Sequence, residues 1–168
     1  MIRALPVRFD VSDVQQELKT ATWNAHGART KSGPHRECDD IWVRYASGAV
    51  RADGSFDCDW WQEFPATMDL CHAVTSLVEA QELGGVLITR IPAGKQVYPH
   101  ADFGWHAEHY DKFAVQIHGN KEQSFCFEDC ELRPETGDLY TFVNQRKHWV
   151  LNPSSQPRVT LIVCARAH

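Results

Sequence analysis

His100 and Asp102 stand two residues apart in Tyr98-Pro99-His100-Ala101-Asp102, after a β-like run and just before Gly104. In an extended chain, residues two apart project to the same face, so one imidazole and one carboxylate leave the backbone together, as two ligands of one metal would. A third ligand has to come from a distant stretch. His148 follows the strand-like run Leu139-Tyr140-Thr141-Phe142-Val143 and is the best candidate. Two histidines and one carboxylate on one face of a metal, with the other positions open, suit non-haem iron(II) that activates O2. A bare His-x-Asp is also an ordinary surface pair in many loops, so its meaning depends on what accompanies it.

Two stretches accompany it. Ile91-Pro92-Ala93-Gly94-Lys95 makes a turn, and an extended run from Gln96 delivers His100. At the far end, His148 is followed by Trp149 to Pro153, a turn through Ser154 to Pro157, and then Arg158-Val159-Thr160-Leu161. If His148 ends one strand and Arg158 opens the next, both can face one cavity. Alternation then points Arg158, Thr160 and Ile162 inward and Val159, Leu161 and Val163 outward. A buried guanidinium needs a partner, because an unpaired buried charge is very costly. A carboxylate held by two parallel hydrogen bonds is the best one. It can be an internal Asp or Glu, or a cosubstrate carboxylate to which Thr160 adds its hydroxyl.

The elements that must position these groups are β-strands. From Val86 onward the chain breaks into about eight short apolar runs split by turn residues: 86–92, 96–99, 113–118, 124–128, 132–134, 138–143, 148–151 and 159–165. Even spacing of this kind predicts a sandwich or small barrel. Before it, residues 11–21 read as a short helix with Ser12 as N-cap and Gln15 closing a capping box. Residues 40–45 alternate as a strand. Trp60, Trp61 and Phe64 read as core-closing aromatics, with an aromatic wall over the site as the alternative. Residues 67–83 have helical spacing in Leu70, Val74, Leu77 and Val78, with Gly84-Gly85 as the stop.

The chain has 168 residues, enough for one sizeable core, with 43% hydrophobic and 23% charged residues. One domain over 1–168 is expected: a helical and loop-rich half, 1–85, packed on a barrel, 86–168, that carries the metal site. The formal charge of −5 argues against a general nucleic-acid binder. No apolar run reaches membrane-spanning length, and the first residues lack a secretory apolar core. The six cysteines, Cys38, Cys58, Cys71, Cys126, Cys130 and Cys164, form no Cys-x-x-Cys. Reduced thiols in a cytoplasm are the expectation.

The pattern Pro92-x-Gly94, His100-x-Asp102, Gly137-Asp138, His148-x-x-x-Asn152 and Arg158 resembles the iron(II)/2-oxoglutarate-dependent dioxygenases. Within them it is most similar to the aspartyl/asparaginyl β-hydroxylase branch and its small bacterial and phage relatives. The resemblance covers residues 86–165, and the spacing from His148 to Arg158 is its most discriminating part. It implies a mainly β fold with flanking helices, a double-stranded β-helix or jelly roll with iron at one mouth. It implies Fe(II), 2-oxoglutarate and O2 as cofactor and cosubstrates, with His100, Asp102 and His148 as metal ligands and Arg158 on the distal carboxylate of 2-oxoglutarate. The implied reaction is hydroxylation of an unactivated C–H bond. Some members of the branch lack the carboxylate ligand, whereas Asp102 is present here. The family often places further cosubstrate contacts on the strand after the first ligands, where Gln116 and Lys112 are the candidates. His106 and His109 lie close enough to His100 to compete for the metal or to support it.

A cupin is the other reading. Gly94-x5-His100-x-Asp102 and Gly137-x10-His148-x3-Asn152 loosely echo the two cupin motifs, but Glu108 stands at the wrong offset and Arg158 has no required role there. Such a protein would be a metal enzyme without 2-oxoglutarate or a ligand-binding module. Substrate recognition falls to the loops. Residues 24–36 hold Arg29, Lys31 and Arg36 and no acid, with Arg44 on the next strand. These groups predict an anionic small molecule or peptide side chain; the alternative for each is plain solvation.

Overall fold

The computed structural model describes residues 1–25, 32–45 and 58–167, with the backbone alone at Tyr45, Cys58 and Asp59. Arg29 and Lys31 lie outside the described residues. The strands, in chain order, are β1 (Ile2–Arg8), β2 (Asp39–Tyr45), β3 (Cys58–Asp59), β4 (Glu82–Ile91), β5 (Gln96–His100), β6 (Asp111–His118), β7 (Ser124–Phe127), β8 (Glu131–Leu132), β9 (Asp138–Phe142), β10 (His148–Leu151) and β11 (Arg158–Arg166). The helices are α1 (Ser12–Glu17), α2 (Pro65–Leu77) and α3 (Trp105–His109). Each of the eight runs read from the sequence after residue 85 overlaps a strand, although of 132–134 only Leu132 belongs to one.

The strands form two antiparallel sheets, one of seven in the order β1-β9-β6-β11-β4-β2-β3 and one of four in the order β5-β10-β7-β8. This is the double-stranded β-helix. The period-two alternation of the central strands explains why both faces of the large sheet are covered. On β11, Val159, Leu161, Val163 and Ala165 join Val115 and Ile117 of β6 in a core closed by Val14, Met68 and Val74 of the helical layer. The opposite face of the large sheet meets the small sheet through Ile91, Val97, Phe125, Tyr140 and Val150.

The N-terminal half is more β-rich than the sequence predicts. β2 is the strand expected over 40–45, while β1, which was not expected, joins the large sheet by pairing with β9 through Ile2–Phe142 and Ala4–Tyr140. β1 is an edge strand with mixed burial, so its alternation is weak. Helix α1 ends at Glu17, shorter than expected, and Ser12 is not its cap. Asp10 accepts from the Ser12 backbone N–H (2.9 Å) and hydroxyl (2.7 Å) instead. Gln15 ties the helix to β6 by donating to Ile117 O at 2.8 Å. Glu17 in turn accepts from Ala66 N, Thr67 N and Thr67 Oγ1 at 2.6–3.0 Å, satisfying the start of α2.

Gly84 and Gly85 do not stop α2; they belong to β4. The helix ends at Leu77, and Glu79 takes the left-handed turn at φ +52°. Gly84 is needed for another reason: a Cβ there would sit 2.9 Å from the Tyr110 ring. Gly94, at φ +70°, makes the expected turn from β4 to β5, a conformation that glycine takes without steric cost. Phe64 is core, as expected, while Trp61 is exposed. Among the described residues no helix is long and apolar enough to cross a membrane.

Candidate active site

A cavity of about 280 Å³ opens between the two sheets. β5 and β10 run antiparallel in the small sheet, with His100 and His148 as register partners. Their ring centroids are 4.3 Å apart. Asp102 lies just past β5, its backbone N–H donating to Asn144 O at 2.9 Å. One ligand atom from each of His100, Asp102 and His148 falls within 4.8 Å of the others, and His100 Nε2 is 3.6 Å from Asp102 Oδ1.

Each histidine is oriented by its own strand. His100 Nδ1 donates to Tyr98 O at 2.9 Å, and His148 Nδ1 donates to Arg146 O at 2.8 Å. Both Nε2 atoms are thereby left as lone pairs, the tautomer that a metal requires. Burial pushes the His148 pKa down, helped by the neighbouring His100 and opposed by the bond to Arg146 O and by Asp102. The neutral ring favoured in this way is the metal-binding form. Phe125 stacks on His148 at 5.4 Å and 9°. Asn144, itself buried, donates to Asp102 Oδ2 at 3.2 Å, which leaves Oδ1 turned toward His100.

Arg158 enters the same cavity from β11 and is 3% exposed. Its guanidinium donates to Thr160 Oγ1 (2.8 Å) and to Tyr140 Oη (2.9 Å), while its Nε finds no acceptor among the described residues. No carboxylate pairs with it among those residues. Of the two partners open in the sequence, the internal acid is absent from the described residues. Arg158, Thr160 and Ile162 all line the cavity, as alternation requires. The turn between β10 and β11 is fixed by Asn152. Its side-chain amide donates to Ile91 O, Pro92 O and Gln156 O at 2.9–3.0 Å, and its Oδ1 accepts the Ser154 hydroxyl at 2.7 Å.

The remaining candidates fall in different places. Gln116 does not line the cavity. Its amide donates to His118 O and Val159 O, and its Oε1 accepts from Thr160 at 3.3 Å, so it sits behind Thr160. Lys112 does line it. His106 is a cavity wall beside Lys112 and outside the three-residue cluster, whereas His109 bonds Glu82 at 3.1 Å and stacks on Trp105. Arg44 is turned away: its guanidinium donates to the backbone carbonyls of Leu83 and Gly84, holding β2 against β4. Arg36 is exposed, lies over the Tyr98 ring at 3.5 Å and donates to Gly33 O at 3.0 Å. Trp60 and Trp61 take no part in the cavity wall. Two neighbours went unread in the sequence. Asn144 had no local signal. His35, whose ring packs 4.6 Å from that of His100, lay in a stretch read only for its cations.

A jelly roll with two histidines and one carboxylate at its mouth, and a buried arginine deeper in the same cavity, belongs to the 2-oxoglutarate–iron(II) oxygenase superfamily. Within it, the chain belongs to the aspartyl/asparaginyl beta-hydroxylase family, whose profile matches residues 8–167. Solved structures of similar fold include a prolyl hydroxylase from Trichoplax adhaerens in complex with a hypoxia inducible factor peptide (TM-score 0.68, 13% identity, 99% of this chain and 83% of that one). An oxidoreductase of the 2OG-Fe(II) oxygenase family from Burkholderia pseudomallei gives a TM-score of 0.64 at 12% identity, over 99% and 84% of the two chains. The viral collagen prolyl hydroxylase of Paramecium Bursaria Chlorella virus-1 gives 0.60 at 12% identity, over 99% and 96%. Among curated proteins no sequence matches the chain.

The residues present fit the implied metal and cosubstrate. Two imidazole Nε2 atoms and one carboxylate oxygen form a donor set suited to iron(II). A buried guanidinium without a carboxylate partner among the described residues, with its Nε unsatisfied there, suits a dicarboxylic cosubstrate.

Proposed function

We propose that this protein is an iron(II)- and 2-oxoglutarate-dependent dioxygenase that hydroxylates an unactivated C–H bond of a small anionic molecule, an amino acid or a peptide side chain. The observation that carries the reading is Arg158, buried in the same cavity as the metal cluster with hydroxyl partners only among the described residues. A cupin that uses the metal alone would leave that charge uncompensated.

His100, Asp102 and His148 hold the metal. Arg158 receives the distal carboxylate of 2-oxoglutarate through two parallel hydrogen bonds, and Thr160 adds its hydroxyl. Tyr140 steadies the guanidinium by accepting a hydrogen bond from it, and Gln116 acts through Thr160. When bound, iron(II) supplies the oxidising chemistry with O2: 2-oxoglutarate loses CO2 to become succinate, and the substrate C–H becomes an alcohol. The chain's part is orientation and the exclusion of water. Val97, Phe125 and Val150 make the inner wall apolar, which strengthens each charge interaction inside. Arg36 does not line the cavity but follows His35, which does, and remains a candidate for substrate contact.

The test is titration under argon with iron(II) and then 2-oxoglutarate. The expected result is a weak visible charge-transfer band and a calorimetric binding isotherm. Absence of both would favour the cupin reading. Substrate-stimulated succinate production over a library of amino acids, short peptides and nucleosides then identifies the substrate class.

A further inference from the structure

The cavity holds a second buried cation that the metal cluster and Arg158 do not use. Lys112 is the second residue of β6 and is 7% exposed. Its ammonium lies 2.9 Å from Cys164 Sγ and 3.4 Å from His106 Nδ1, with no carboxylate partner among the described residues. Both neighbours are cavity walls. Burial and the Lys112 charge itself push the His106 pKa down to about 4, so this imidazole is neutral near pH 7 and gives no compensation.

The charge balance of the filled cavity decides what is missing. Iron(II) brings two positive charges, and Arg158 and Lys112 bring one each. Asp102, the only acidic residue on the described cavity wall, supplies one negative charge and 2-oxoglutarate two. One positive charge remains, wherever along the cavity the cosubstrate lies. Two acids stand behind the wall, and neither makes an ion pair with Lys112 among the described residues: Glu82, the register partner of Arg166, accepts the Tyr110 hydroxyl and bonds His109 at 3.1 Å, and Asp40 accepts the Thr89 hydroxyl at 2.9 Å. Asp40 pairs in register with Thr89, and Thr89 with Thr160, whereas Lys112 pairs with Cys164. Four strand residues separate those rows, about 13 Å at ~3.3 Å per residue. Asp40 therefore does not face the ammonium. A charge left alone in an enclosed site is costly, and the missing partner has to arrive with the ligand.

We propose that Lys112 is the substrate-recognition residue of this oxygenase, and that the substrate is a small carboxylic acid whose single negative charge it receives. The acid enters past Phe103, which is 85% exposed at the cavity rim. Its apolar part lies along Trp42 and Leu87, which also line the cavity. This assignment rests on the oxygenase reading above and moves anion recognition from the loop arginines to the strand. It also defines a specificity: the free acid is accepted, and the matching amide, with the same shape and no charge, is rejected.

The experiment is calorimetry on the protein loaded with iron(II) and 2-oxoglutarate under argon. The probes are N-acetyl amino acids and dipeptides, each offered as the free acid and as its primary amide. The proposal expects at least one acid to bind tenfold or more tightly than its amide. In Lys112→Met the acid falls to the level of the amide, while 2-oxoglutarate binds within twofold of wild type and the thermal midpoint confirms folding. Lys112→Arg restores part of the acid preference. Acids and amides that bind equally across the panel, or not at all, overturn the proposal. So does a Lys112→Met variant that loses 2-oxoglutarate affinity and keeps the acid preference, which would place Lys112 on the cosubstrate. A wild type that binds no 2-oxoglutarate sinks the oxygenase reading, and the charge balance falls with it; 2-oxoglutarate binding without an acid preference sinks the Lys112 assignment alone.

Discussion

His100 and His148 face each other across the β5–β10 ladder, and each donates its Nδ1 proton to the carbonyl two residues before it, Tyr98 O and Arg146 O. The strand that carries each ring therefore also fixes its tautomer. His100→Ala or His148→Ala is expected to remove iron-dependent turnover and to weaken iron(II) binding at least a hundredfold. Asp102→Ala should weaken both strongly. Equilibrium dialysis against iron(II) measures the binding. Loss of metal in His106→Ala or His109→Ala, with retention in His100→Ala, would reassign the ligand.

Arg158→Met keeps the bulk and removes the charge. Truncating one partner of a buried charge pair costs about 2 kcal/mol or more. The expected result is a rise of about thirtyfold or more in the 2-oxoglutarate requirement, with iron(II) affinity little changed. An unaltered 2-oxoglutarate dissociation constant would contradict the role given to Arg158.

Asn144 holds Asp102 twice, through its amide at 3.2 Å and its carbonyl at 2.9 Å. Groups that orient a metal ligand are worth about 10–100-fold in metal affinity. Asn144→Ala removes the side-chain bond only, so a loss of about tenfold is expected in an iron(II) titration. Asn144→Asp places a second negative charge beside Asp102 and should behave differently from alanine. Equal metal affinity in all three proteins would show that the backbone bond suffices.

The metal-free protein should lose stability as pH falls from about 6.5 toward 4. His106 is held neutral down to about 4 by burial and by Lys112, while the unfolded chain protonates it near 6.5. Within that window the unfolded state binds the extra proton, so acid favours unfolding. His118 and His148, also pushed down by burial, act in the same direction. Thermal melts of His106→Gln across this range should show a shallower slope; an unchanged slope would exclude His106 as a contributor.

The site was legible in the sequence where it obeys local periodicity. Period two puts Arg158 with Thr160 and Ile162 on one face of β11, and His100 closes β5 at the same cavity; Asp102 joins it from just beyond the strand, where Asn144 O holds its backbone N–H. Arg44 shows the limit of such reading. Its charge and position suited a substrate contact, but the backbone carbonyls of Leu83 and Gly84 in β4 claim its guanidinium. Asn144 was illegible because its meaning depends on a partner 42 residues away. The glycines at 84 and 85 read as a helix stop because the alternative, room for the Tyr110 ring beside Gly84, depends on tertiary packing. Asn152 lay within the recognised pattern, yet its reason is visible only in the folded turn that aims Arg158 inward.

β11 carries core packing on one face and cavity chemistry on the other, alternating residue by residue from 158 to 165. A saturation library over these eight positions would separate into two interleaved phenotypes. Changes at 159, 161, 163 and 165 would lower abundance, and changes at 158, 160, 162 and 164 would alter what is bound with abundance largely kept. One strand thus lets selection retune ligand preference without reopening the problem of folding.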